Sequence, residues 1–302
     1  MLKCRHCYNQ ETRVNRFADF FNESFVGQLL ANGVQQLVLS GGEPILVWEN
    51  LLNILKAIRG RLSIVITSNG VLLTHEKIEI LKRNGVNALQ ISLDGVSASS
   101  HEFLRGKGTY QHAFNLVKCY PDFITPMYTI HARNYHEISP FIMQMKTIGV
   151  KKIGFERYIP VVSNKRTSML KLTKEQLFSA YEAILQYNDV KFHINDPLFN
   201  VFVIRKNKVS PSTLDSFPEL GCEALSNNIY IDAGGDVYPC VFSKDILFNI
   251  HYKPLSNHKI CPKTQNYECV NCDFFKFCKG CRAAAYFEFG DWKRRDPLCP
   301  LH

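Results

Sequence analysis

Seven cysteines toward the C-terminus, Cys222, Cys240, Cys269, Cys272, Cys278, Cys281 and Cys299, are the side chains best suited to chemistry. Two Cys-x-x-Cys pairs, 269/272 and 278/281, stand five residues apart, a spacing at which two short hairpins can present four thiolates to metal. Eight of the 11 cysteines follow residue 220, and no apolar secretory segment follows Met1, so metal is expected rather than disulfides. A structural zinc ribbon is the simpler alternative, but one tetrahedral zinc takes four ligands and leaves three of these seven cysteines unused. Cys119, in Leu116-Val117-Lys118-Cys119, has no metal-ligand neighbour in sequence and is expected in the core as a small apolar residue.

At the other end lies Cys4-Arg5-His6-Cys7, which alone could be a redox dithiol or half of a zinc site. Three polar, glycine-bearing segments follow: Ser40-Gly41-Gly42-Glu43-Pro44, Thr67-Ser68-Asn69-Gly70 and Ser92-Leu93-Asp94-Gly95. Each taken alone is a turn, and Arg105 in Leu104-Arg105-Gly106 taken alone is a loop arginine facing water.

The elements that position these segments follow from hydrophobic pattern. Short β-branched runs at 35–40, 63–68, 88–93, 127–132 and 151–156 alternate with amphipathic stretches such as 50–58 and 75–81, which predicts a parallel α/β sheet. Each polar segment then falls at the C-terminal end of a strand, where folds of this class place their sites. Thr173-Lys174-Glu175-Gln176 predicts a capping box opening a helix over 174–187, after a loop at 163–167. Beyond Pro211 the composition turns to Cys, Gly and aromatics, so the domains are expected at 1–205 and 206–302, the second needing metal to fold.

Taken together, Cys222-x12-Gly235-x4-Cys240, Cys269-x2-Cys272-x5-Cys278-x2-Cys281 and Cys299 resemble the SPASM extension of radical S-adenosylmethionine (SAM) enzymes, with two residues where the family usually has three between its fifth and sixth cysteines. Cys4-x2-Cys7 resembles the end of that superfamily's CxxxCxxC signature, and Gly41-Gly42-Glu43-Pro44 its GGEP motif. The resemblance implies a partial (β/α)6 TIM-like barrel, its first strand missing, with a small Cys-rich iron–sulfur domain. It implies a [4Fe–4S] cluster on Cys4 and Cys7, with His6 near the adenine of SAM. Gly41, Gly42 and Glu43 would receive the cofactor's amino group. Ser68, Asn69, Ser92 and Asp94 would lie near its ribose and carboxylate, and Arg105 would pair with the carboxylate. One or two auxiliary clusters are implied: an outer one on Cys269, Cys272, Cys278 and Cys299, and an inner one on Cys222, Cys240 and Cys281. The inner fourth ligand is open, with Cys261 either completing it or remaining a free thiol.

The implied reaction is reductive cleavage of SAM to a 5′-deoxyadenosyl radical that abstracts hydrogen from an unactivated carbon. Cys278-Lys279-Gly280-Cys281-Arg282 and Asp296-Pro297-Leu298-Cys299-Pro300 are most similar to enzymes of haem and haem d1 synthesis, and similar ends occur in pyrroloquinoline quinone synthesis protein E. Tetrapyrrole side chains and ribosomal peptide precursors are therefore the two substrate classes, with Asn195-Asp196-Pro197-Leu198-Phe199 favouring the first. A low-potential donor of ferredoxin or flavodoxin type is the implied partner. No run approaches the ~20 apolar residues of a membrane span, and a cytoplasmic location is expected.

The net charge of +9 suggests an anionic partner, but Lys276, Lys279, Arg282, Lys293, Arg294 and Arg295 crowd the cysteine region and could offset clusters of about −2 each, so nucleic acid is not required. The contrary class is a basic, non-enzymatic zinc protein that binds nucleic acid. The signature's first cysteine would fall at residue zero, so the reading frame is expected to start upstream, with a cysteine codon before Met1. Failing that, the chain is an inactive homologue.

Overall fold

The computed structural model describes residues 2–8, 20–161, 165–208, 221–224, 226–255 and 268–301. Six strands, β1 (Gln36–Leu39), β2 (Ser63–Ser68), β3 (Ala88–Ser92), β4 (Ile124–Ile130), β5 (Lys152–Arg157) and β6 (Lys191–Ile194), form one parallel sheet in sequential order. Sequential order with every pair parallel means that each crossover helix packs on the same face, and the sheet curls into a half-barrel.

The helices start where the sequence supplies caps. Asn22 accepts from the Phe25 N–H ahead of α1 (Glu23–Ala31), and α2 spans Trp48–Ile58. Thr74 caps α3 (His75–Arg83), and Ser97 with Ser100 forms a capping box on α4 (Ala98–Arg105). Next come α5 (Tyr110–Cys119) and α6 (Ile138–Thr147), then α7 (Lys174–Leu185), opened by the expected Thr173/Gln176 box and two residues shorter than expected. Asp196 accepts from the Leu198 N–H and Pro197 fills the first turn of α8 (Pro197–Lys206).

Strand residues Ile64, Ile66, Leu89, Ile91, Tyr128, Ile153 and Phe155 bury against Leu55, Ile58, Leu81, Val117, Phe141 and Tyr181 of the helices. The alternate positions include polar pairs: the Thr67 hydroxyl donates to Gln90 at 2.8 Å and that of Thr129 to Glu156 at 3.3 Å, each across a strand register pair.

Four readings need correction. Strand β4 begins at Ile124 rather than 127 and runs through Pro126. Its pairing with β5 starts one residue later, at Met127↔Gly154, where a missing N–H no longer matters. Strand β6 escaped the pattern because Lys191-Phe192-His193-Ile194 is a single short alternation. Of the loop expected at 163–167, residues 165–167 belong to one helical turn, Lys165–Ser168, while 163 and 164 lie outside the described residues. Cys119 is exposed, not core: α5 buries Tyr110, Ala113, Leu116 and Val117, and its last residue points off that arc.

The cysteine-rich module begins with a three-stranded antiparallel sheet, β7 (Tyr230–Ile231), β8 (Asp236–Tyr238) and β9 (Phe248–Asn249), followed by α9 (Phe275–Cys278) and α10 (Arg282–Phe289). It docks on α8: the Asn200 amide donates to the Phe277 carbonyl at 3.0 Å, and the Arg205 guanidinium donates to that of Pro300 at 2.7 Å.

Candidate functional site

The Cys4–Cys7 loop lies on the C-terminal end of α4. The Arg5 N–H donates to the Leu104 carbonyl at 2.9 Å, the Cys4 thiol lies 4.0 Å from the Arg105 carbonyl, and the Cys7 N–H returns to the Cys4 carbonyl at 3.3 Å. The same helix supplies Arg105, whose Nε donates to Asp94 at 2.5 Å. Asp94 is fully buried just past β3, and its other oxygen accepts from the Thr129 N–H at 2.7 Å. Burial alone would raise the Asp94 carboxyl, but Arg105 overrides it and holds the group well below the usual carboxylate range.

Glu43, at the end of β1, is buried and braces its neighbours. Its carboxylate accepts from the Ser68 hydroxyl (2.8 Å), the Asn69 N–H (2.9 Å) and the Ile45 N–H (3.2 Å). The GGEP segment and the end of β2 are therefore one hydrogen-bonded unit. Gly41 adopts φ +129°, a conformation open to glycine, and a Cβ there would meet no atom within 4 Å, so the backbone is approachable by a ligand. Ser92 is buried at the end of β3, and Gly42 is exposed.

Three imidazoles surround this pair. Burial first, then Arg105, lowers His6 to about 3, and His101 and His131 are each pushed down by burial to about 4. The Nδ1 of His101 accepts from the Asp94 N–H at 3.0 Å, and that of His131 from the Arg133 N–H at 3.1 Å, which puts the proton of each neutral ring on Nε2. Nε2 of His131 and Nδ1 of His6 are buried without a partner among the described residues. Glu156 faces them from β5, its carboxyl raised by burial against the pull of Arg105. His101, His131 and Glu156 went unread in the sequence, although Glu156 sits in a strand whose alternation marks it as facing inward.

The cysteines of the C-terminal module fall into two groups. Cys269, Cys272, Cys278 and Cys299 line one cavity, closed on the barrel side by Leu198 and Val201. Cys222 is electrostatically coupled to Cys240 and Cys281 instead. Gly221 lets the two groups meet: at φ +101° it packs where a Cβ would sit 2.8 Å from the Cys278 backbone, and the Cys222 N–H donates to the Cys278 carbonyl at 3.0 Å. Burial pushes the thiols of Cys240 and Cys269 up to about 11 and that of Cys278 higher, so ionising them requires a bound cation. Among the described residues no three His, Cys, Asp or Glu side chains converge on a single-ion site. A cubane spreads its ligands more widely than one ion does, and the four-thiol cavity together with a buried, unpartnered Nη1 of Arg282 fits such a group. Cys261 lies outside the described residues.

A buried ion network fastens the module to the sheet. Arg157, ending β5, binds Asp196 through Nε at 3.0 Å and grips Asp296 through Nη1 and Nη2. Asp296 also accepts from the Cys281 N–H at 3.3 Å and the Leu298 N–H at 3.0 Å, and Tyr181 donates to Asp196 at 2.5 Å. Asp196 thus has a structural task at the position read as a substrate-class signature. On the other side Tyr8, next to Cys7, packs edge-on to Phe242 with ring centroids 5.6 Å apart, so the N-terminal cysteine loop touches the module two residues from Cys240.

Residues 1–135 match the family model described as the radical SAM superfamily. The AdoMet-dependent heme synthase of Methanosarcina barkeri is 25% identical, over 99% of this chain and 92% of that protein. Streptococcus suis SuiB, solved bound to its precursor peptide SuiA, superposes with a TM-score of 0.74 at 20% identity, covering 99% of this chain and 73% of that one. The anSMEcpe structure with bound AdoMet gives a TM-score of 0.65 at 21% identity, covering 94% and 86%. Among the described residues no helix is long and apolar enough to cross a membrane.

Proposed function

We propose, for a chain that carries a radical SAM domain over residues 1–135, that it is a cofactor-maturing enzyme acting on the side chains of a tetrapyrrole, with auxiliary clusters in a SPASM-type module over about 206–302. The observation that carries this reading is the convergence of the Cys4–Cys7 loop, Glu43 and the Asp94–Arg105 pair at the C-terminal end of one parallel sheet. Cys4 and Cys7 would be two of the ligands of a [4Fe–4S] cluster that would supply the electron for reductive cleavage of SAM, while Cys269, Cys272, Cys278 and Cys299 would hold an outer cluster and Cys222, Cys240 and Cys281 an inner one.

The chain's own residues then bind and orient. Arg105 meets Asp94 through Nε, and its guanidinium pairs with the carboxylate of SAM. The Gly41–Gly42 backbone and Glu43 receive the amino group, with Ser68 and Asn69 held in place by the same carboxylate. Ser92 and Asp94 frame the ribose side, and His6 presents a neutral ring to the adenine. Glu156 and His131 face the same space, where a carboxyl raised by burial and a free Nε2–H can exchange hydrogen bonds with substrate. A low-potential donor of ferredoxin or flavodoxin class would deliver electrons.

The heme synthase relative, matched over nearly its whole length, supports the tetrapyrrole class. The test is formation of 5′-deoxyadenosine by anaerobically reconstituted protein given SAM and a strong reductant. An iron tetrapyrrole carrying propionates should stimulate it and lose side-chain mass. Stimulation by a precursor peptide alone would transfer the reading to peptide modification, and no 5′-deoxyadenosine under any condition would overturn it.

A further inference from the structure

We infer that Arg282 is a shared electrostatic clamp between the two auxiliary cluster sites, donating to sulfur and holding both reduction potentials up. The inference rests on the reading that the two cysteine groups bind iron–sulfur clusters.

Arg282 is the first residue of α10, immediately after Cys281. Its Nη1 is shut off from solvent and has no hydrogen-bond partner among the described residues. A buried guanidinium nitrogen left unpaired is costly unless something anionic is opposite it. Carboxylates do not fill that place: the nearby acid Asp296 is committed to Arg157 and to the N–H groups of Cys281 and Leu298. What lies around Arg282 instead is sulfur from both groups: burial works against its charged form and outweighs the rest, while Cys222, Cys269 and Cys281 each favour it.

Two clusters on thiolates carry about −2 each, and adding an electron to either raises the repulsion between them. A fixed cation between them lowers that cost. It stabilises the reduced state of both clusters, because the added negative charge falls on sulfurs within its reach. Arginine suits the task better than lysine because its planar fork can donate toward two acceptors on different sides. The basic residues crowding this region therefore differ in kind: Arg294 pairs with Glu268 at 2.8 Å on the surface, whereas Arg282 faces the thiols.

The test is potentiometric EPR titration of the reconstituted full-length protein and its Arg282→Gln and Arg282→Lys variants, with iron and sulfide counted in each. Gln should make reduction of both auxiliary clusters at least tenfold less favourable, about 59 mV more negative for a one-electron couple, while Lys recovers part of the shift. If Gln fails to hold iron but Lys holds it at near wild-type potential, the charge is again the requirement. Wild-type potentials in Gln, or equal iron loss in Gln and Lys, would show that Arg282 only packs. Wild-type protein without auxiliary clusters would instead overturn the underlying cluster reading.

Discussion

Arg105 and Asp94 form an ion pair, Nε to Oδ2 at 2.5 Å, in which the aspartate is closed to solvent and the arginine is 14% exposed. The pair joins the helix that carries the Cys4–Cys7 loop to the end of β3. It also fixes the direction of the guanidinium.

Asp94→Ala would leave the Arg105 charge buried without its partner, at a cost of about 3–5 kcal/mol. Urea unfolding of the apoprotein should show that loss. Arg105→Lys keeps the charge but not the fork, so it should unfold near wild type while SAM affinity, read by equilibrium dialysis, falls about tenfold or more. Unchanged SAM affinity in Arg105→Lys would remove Arg105 from the carboxylate site.

Glu43→Ala strands three donors, from Ser68, Asn69 and Ile45, and should cost about 1–3 kcal/mol locally. SAM binding should weaken while iron in the C-terminal module stays at the wild-type level, because that module docks elsewhere. Equal loss at both places would mean a general folding defect.

Cys278→Ala and Cys240→Ala should each remove iron from one group and spare the other, a loss of about four iron atoms for Cys278→Ala. Because the ligand sets also hold the module together, limited proteolysis should open the segment around the altered cysteine. Identical iron loss in both variants would contradict two separate groups.

Acid should destabilise the apoprotein through its buried imidazoles. Folding depresses His101 and His131 to about 4. Their contribution is therefore present above the unfolded value near 6.5 and is lost as pH falls from there toward about 4, by roughly 1–3 kcal/mol each. His101→Gln keeps an acceptor for the Asp94 N–H and does not titrate, so its stability-against-pH slope should be shallower by up to one proton. A slope equal to wild type would mean that His101 is not held neutral.

Much of this was readable in advance because local rules carried it. Branched runs such as Ser63-Ile64-Val65-Ile66-Thr67-Ser68 declare a buried strand, and a Thr173 three residues before Gln176 declares a helix start. What stayed hidden depends on chain ends far apart. Arg157 and Asp296 are 139 residues apart, and neither has a local pattern announcing a buried pair. His101 and His131 look like surface residues until the fold brings Asp94 between them. Cys119 shows the reverse failure: its composition suggested a core residue, and helical phase placed it outside.

The central claim is that the cysteine groups hold iron and sulfide in the service of SAM chemistry, and metal analysis of anaerobically purified full-length protein tests it most directly. Brown protein with iron and acid-labile sulfide in equal amounts, about eight or more of each per chain, is the predicted result. Colourless protein carrying zinc at one or two atoms per chain and no sulfide would contradict it.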